Sequence, residues 1–365
     1  MPASRVAAIV HRPLASFIAW LDRIDPQLHR RIKGLRLVTA YGIAAALGTL
    51  HDVSRDVPTG ISLGGLAASF ALWASVSEAR TTRATSSRDL LILCLAAAGG
   101  AALFTSLAPL LRAHFNAGGE WVLASGAFAV GYLKRYGILG AGVGSQIYIG
   151  QLTAYSMGLG SGDYVAIALA ASIAIVAAVI PRLLSGPAEH PATMAAMGPI
   201  TGHPRGYPAE LVMGLQATAA TLLIVVLNSF LGLMESAWAI TACVYVIGAT
   251  AAGTFDRVRR RITGTLVGVP LALICLPFAP QVPLLIWCAA ALAMIIYAMA
   301  LPERYDIACG AFAFTLLVTL AVNGEHSMPM LLARLWETVL GSVIGGAMAM
   351  LVLPLRAQST GTTVR

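Results

Sequence analysis

Charge is scarce in this chain. Charged residues make up 11% of its 365 positions, and Lys33 and Lys134 are its only lysines beside 22 arginines. A soluble domain of that length cannot clothe itself with so little charge, and 58% hydrophobic residues cannot be hidden in one core. A bilayer solvates such a chain, as the mean hydropathy of +0.79 requires. Cysteine is sparse and unpatterned. Cys94, Cys243, Cys275, Cys288 and Cys309 all fall in apolar runs without metal-ligand or disulfide spacing, so they read as small buried hydrophobes. Histidine is confined to termini, loops and the linker (His11, His29, His51, His114, His190, His203, His326), which leaves no protected Ser-His-Asp arrangement. No Walker-type glycine loop is present. An enzyme is therefore the weakest functional class, and no cofactor or metal is called for. The net charge of +8 is spread in short clusters between apolar runs, unlike a nucleic-acid footprint.

What the chain has is long apolar runs. They predict spans near residues 35–50, 59–77, 90–111, 121–133, 138–157 and 164–184, then 208–230, 235–254, 262–278, 282–301, 307–322 and 329–355. Arg12 and Pro13 interrupt the first apolar stretch, so no cleaved signal peptide is expected. Residues 13–34 mix apolar and basic side chains and suit an amphipathic segment on the inner surface. With the N-terminus inside, 21 of the 24 basic residues lie on the cytoplasmic side; the exceptions are Arg55, Arg112 and Arg334. Omitting the short fourth span destroys that bias, so the positive-inside rule favours twelve spans with both termini cytoplasmic.

Ser185 to Gly206 forms the one long break, rich in Pro, Gly and His. The expected organisation is a cytoplasmic segment 1–34, a six-span block 35–184, a linker 185–206, a second block 207–356 and a tail 357–365. The blocks look related. Lys134-Arg135-Tyr136-Gly137-Ile138 opens the fifth span as Glu303-Arg304-Tyr305-Asp306-Ile307 opens the eleventh, at an offset close to 170 residues. Blocks with an even number of spans insert in the same sense. The expected fold is thus an all-α integral membrane protein of twelve transmembrane helices, arranged as two six-helix parallel repeats.

Three stretches carry a family resemblance. The run Arg257-Val-Arg-Arg-Arg-Ile-Thr-Gly264-Thr265-Leu-Val-Gly268 is similar to the Arg-rich loop and Gly-Thr-x-x-Gly helix of the fusaric acid resistance-like (FUSC) proteins. Glu303-Arg304-Tyr305 fits the same pattern, and Arg334-Leu-Trp-Glu337-Thr338-Val-Leu-Gly341 through Pro354 resembles the family's closing helix. The resemblance implies a bacterial inner-membrane protein of the aromatic acid exporter superfamily. It implies expulsion of small aromatic carboxylates or related weak acids, driven by the proton motive force, in some members with a periplasmic adaptor. Larger members carry a cytoplasmic domain where this chain has only its linker. Plant anion channels resemble the superfamily too, which keeps a passive channel as the alternative. The partners implied are a small anionic or aromatic solute and the lipid bilayer; a homodimer is left open.

A charge within a span costs about 2.5–3.5 kcal/mol on insertion scales and so demands a reason. Arg334 and Glu337 share one helix face, roughly 9 and 13 Å from the outer end at about 1.5 Å per residue. They suit an anion-attracting group and a proton-coupling group, or else a structural ion pair. In the Gly-rich fifth span Gln146, Tyr148 and Gln151 are candidates to bind a carboxylate or simply to bond neighbouring helices. Arg135 with Tyr136, and Arg304 with Tyr305, are candidates to hold a planar anion at the cytoplasmic mouth, or to anchor the interface. Trp73 and Trp238 are open to reading as stacking walls or as lipid-facing packing.

Overall fold

The computed structural model describes residue 25 and residues 29–50, 60–79, 82–114, 118–185, 207–278, 281–301, 303–322 and 328–355. The inner-surface segment (apart from residue 25 and its last few residues), the linker beyond Ser185 and the C-terminal tail lie outside the described residues. Among those residues there are twelve α-helices and no strand. The first six are α1 (His29–Gly48), α2 (Leu63–Ser77), α3 (Arg83–Arg112), α4 (Gly118–Tyr132), α5 (Gly137–Ser156) and α6 (Tyr164–Leu184). The second six are α7 (Ala209–Leu231), α8 (Ser236–Val246), α9 (Ala251–Cys275), α10 (Pro283–Ala300), α11 (Tyr305–Val322) and α12 (Met328–Leu351). Six of them, α3, α6, α7, α9, α10 and α12, are long and apolar enough to cross a bilayer. Large apolar side chains stay exposed on their outer faces, among them Leu95, Leu103, Leu266, Ile274, Leu284 and Leu292, where lipid tails would cover them.

Each helix overlaps one apolar run in order, with boundaries that differ at informative places. The eighth run, read as 235–254, breaks after Val246, and the ninth, read from 262, begins at Ala251. The break has a local cause. Ile247 turns extended, the Gly248 N–H donates to Thr254 Oγ1, and Thr250 caps α9 by accepting the Gly253 N–H. The Arg257–Arg261 run is therefore helical rather than a loop. Likewise α3 starts at Arg83, not Leu90, behind Thr82, which accepts the Thr85 N–H. Thr82 and Thr250 are both N-caps 168 residues apart.

The pattern of packing recurs between the blocks. α3 packs on α5 as α9 packs on α11; α2 and α3 pack on α6 as α8 and α9 pack on α12. Both α3 and α9 approach their partners through a glycine. A Cβ at Gly100 would fall on the Ile147 carbonyl, and one at Gly268, 168 residues later, would fall on the Gly310 carbonyl. The two most extensive helix contacts between the blocks are α4 with α7 and α1 with α10. These are the fourth helix of each block against the first helix of the other. An exposed ion pair, Arg30 with Glu303, adds to the second, and the Arg30 guanidinium holds Glu303 below the usual carboxylate range. One difference stands out. α3 packs on α4, whereas α9 and α10 stand apart and leave an apolar groove of about 440 Å³ closed at its base by α11.

Candidate functional site

Aromatic rings from four helices meet where the blocks face each other. Trp73 of α2 stands edge-on to Phe312 of α11, with ring centroids 5.5 Å apart, and edge-on to Tyr297 of α10 at 6.2 Å. Phe312 also meets Trp238 of α8 at 6.4 Å and Tyr297 at 6.2 Å. Trp73 and Trp238 are thus joined through Phe312 within the bundle rather than scattered on a lipid face. Both are half-buried.

A cation closes one end of this row. The Arg334 guanidinium of α12 sits over the Trp238 ring at 4.2 Å from the centroid, inside the range of a strong cation–π contact. Glu337, one turn on along the same buried face, has no exposed surface. Its Oε1 accepts the Glu235 backbone N–H at the start of α8, a place where a carboxylate favourably meets the helix dipole. Its Oε2 has no hydrogen-bond partner. The structure thus brings Arg334 and Glu337 to a common region at the N-terminal end of α8.

A second polar group lies further along α8. Tyr148 of α5 shares a hydrogen bond with Thr241 at 2.9 Å and stands edge-on to Tyr245 at 5.9 Å; Tyr245 shares one with Ser145 at 2.7 Å. Arg261 of α9 donates from Nη1 to the Tyr305 hydroxyl at 3.1 Å. Of the expected site residues, Tyr148 and Tyr305 therefore reach the interior. Gln146 and Gln151 are fully buried but bond within the first block, to Ser77 of α2 and Ser125 of α4, each at 2.9 Å. Arg304 stays exposed and pairs with Asp306 at 2.9 Å. Arg135 and Tyr136 are exposed as well, with the Arg135 guanidinium lying 5.1 Å from Tyr132 and 5.3 Å from Tyr136.

Among the buried charges not singled out from the sequence, two lie close to these residues. Arg261 was hidden in an apparent loop of arginines, although it is in phase with Gly264, Thr265 and Gly268 on the buried stripe of α9. Glu120, in the first turn of α4, accepts from Tyr155 of α5 at 3.0 Å, Asn228 of α7 at 2.7 Å and Ser236 of α8 at 2.6 Å. That carboxylate ties both blocks together at the same end of α8 as Glu337.

Neither a curated protein nor a solved structure matches the chain. The helices, the apolar outer faces and the buried polar interior describe a multi-pass membrane protein. Residues 219–348, from within α7 to within α12, match the family model described as fusaric acid resistance protein-like, so the family recognised in the Arg-rich run and the closing helix is the right one for this stretch.

Proposed function

We propose that the chain is a secondary transporter of the bacterial inner membrane that exports small, weakly acidic, aromatic carboxylates. The observation that carries the reading is the aromatic row Trp73–Phe312–Trp238 ending on the buried Arg334 guanidinium. Rings of this kind stack on a planar solute, and a guanidinium holds its carboxylate. Glu337, buried with one carboxylate oxygen that has no hydrogen-bond partner, supplies the group that exchanges a proton. The architecture we propose has twelve spans in two parallel six-helix repeats, with both termini cytoplasmic and residues 185–206 as the linker. The recurring helix pairs and the reciprocal contacts α4 with α7 and α1 with α10 support it. A periplasmic adaptor and a homodimer are partners compatible with this reading.

Uptake of labelled hydroxybenzoate into inverted membrane vesicles tests it. Accumulation abolished by a proton uncoupler is the expected result. Equilibration indifferent to the uncoupler would replace the exporter with a passive anion channel.

A further inference from the structure

Arg261 is 8% exposed, and its Nε finds no hydrogen-bond partner. Among the described residues no carboxylate forms an ion pair with it. Its surroundings come from four other helices: Tyr148 of α5, Tyr245 of α8, Tyr297 of α10, and Tyr305 with Cys309 of α11. Its neighbours on α9 do not supply the missing charge. Asp256 pairs with Arg260, and Arg257 donates to the Ile247 carbonyl. A guanidinium withdrawn from water among phenols, with one donor idle, has the charge and the free N–H that an anion requires.

The position is particular to the second block. With Thr82 matching Thr250 and Gly100 matching Gly268, the place of Arg261 on α3 falls to Leu93, a buried side chain packed toward Gly142. Leucine there meets the packing requirement, so an arginine is not needed to hold such a bundle together. Tyr297, near the guanidinium, belongs to the aromatic row and meets Phe312, which meets Trp238 under Arg334. Arg261 and Arg334 therefore stand at opposite ends of one run of rings.

We propose that Arg261 is a second anion-binding station, which takes the carboxylate of an aromatic acid on its guanidinium while the ring lies against Tyr297 and Phe312. An arginine fork suits a carboxylate because two parallel N–H donors match its two oxygens. The phenols around it supply hydroxyl donors and ring edges without adding negative charge. A solute bound here and a solute bound at Arg334 would occupy the two ends of the same row, a geometry that fits stepwise passage. The proposal rests on the transport reading only for the class of ligand.

Binding, measured without transport, tests it. The full chain in phosphatidylcholine nanodiscs, free of anionic lipid, is titrated calorimetrically with benzoate and with neutral benzamide. Benzoate is expected to bind at least tenfold more tightly than benzamide. Arg261→Gln is expected to remove one of the two benzoate-preferring sites, so that benzoate titrates a single site, at Arg334, while benzamide binding stays in place. Arg261→Lys retains the charge and a donor for Tyr305, and so serves if the glutamine variant does not fold; a benzoate affinity several-fold below the parent is expected. An unchanged benzoate titration in either folded variant, with the preference lost instead in Arg334→Gln, would overturn the station. Benzoate binding that depends on Arg261 without uncoupler-sensitive transport would leave the station standing and remove the exporter.

Discussion

The guanidinium of Arg334 lies 4.2 Å from the centre of the Trp238 ring, and the two side chains come from different helices of the second block. A cation–π contact away from water contributes about 2 kcal/mol or more, so the ring is part of what makes an arginine tolerable at this depth. Trp238→Leu removes the π face, and Trp238→Phe retains a smaller one. The initial rate of hydroxybenzoate uptake against concentration is expected to show a KM raised roughly tenfold in the leucine variant, in line with a loss of about 1.4 kcal/mol. The phenylalanine variant is expected to fall between the two. Equal KM values in all three proteins would detach the ring from the substrate.

Glu120 makes a different prediction, because its partners are donors drawn from three helices. Glu120→Ala leaves Tyr155, Asn228 and Ser236 without their shared acceptor, and breaking such a buried network costs about 3 kcal/mol. Thermal unfolding in detergent is expected to show a clearly lowered midpoint, with Glu120→Gln losing less because the amide oxygen still accepts. An unchanged midpoint in the alanine variant contradicts a role for Glu120 in joining the blocks.

Neighbouring glycines on α3 separate packing from propensity. A Cβ at Gly99 meets nothing within 4 Å, whereas one at Gly100 collides with the Ile147 backbone. Gly99→Ala is expected to stabilise by up to about 1 kcal/mol, as helix propensity dictates. Gly100→Ala forces α3 and α5 apart and is expected to destabilise by about 1–3 kcal/mol. The comparison is made by melting the two variants side by side, and equal effects would rule out the close approach.

Lys134, in the turn joining α4 to α5, gives a pH signature. Burial and then the nearby Arg257 guanidinium lower it to about 8 from an ordinary 10.5, against an opposing pull from Glu210. Between those values the unfolded chain binds the proton more readily than the folded one, so folding becomes more favourable as pH rises. The destabilisation is complete below about 8 and gone above 10.5. Lys134→Gln is expected to raise the melting midpoint at pH 7, with a gain that shrinks as the pH climbs through that window. A gain that persists unchanged at high pH would mean that the lysine's charge is not the cause.

The helices were legible in the sequence because each carries an apolar run, and the short α8 was hard to delimit because its break depends on Thr250 and Thr254 hydroxyls rather than on hydropathy. The burial of Glu337 was legible too, since its side chain is too short to reach the interface easily; Arg334 could have snorkelled outward, and only the fold shows it buried. Arg261 was not legible either. A cluster of arginines reads as an interfacial patch, and only the phase of Gly264, Thr265 and Gly268 distinguishes the one that turns inward. The meeting of Trp73 with Trp238 was beyond the sequence, because it depends on how α11 sets Phe312 between two helices from different blocks. Gln146 and Gln151 show the converse difficulty. Their amides offered donors to a solute or to a neighbouring helix, and spacing along α5 gave no means of choosing; in the fold each bonds a serine of its own block.

The central claim is that an aromatic carboxylate crosses along this row and that Glu337 couples its movement to protons. Purified protein in liposomes, loaded with unlabelled hydroxybenzoate or subjected to a pH gradient, tests both halves at once. The parent is expected to exchange labelled for unlabelled solute and to accumulate label when the gradient is imposed. Glu337→Gln is expected to retain exchange and lose gradient-driven accumulation. Accumulation at the parental level in Glu337→Gln would contradict the account, as would a parent that does neither.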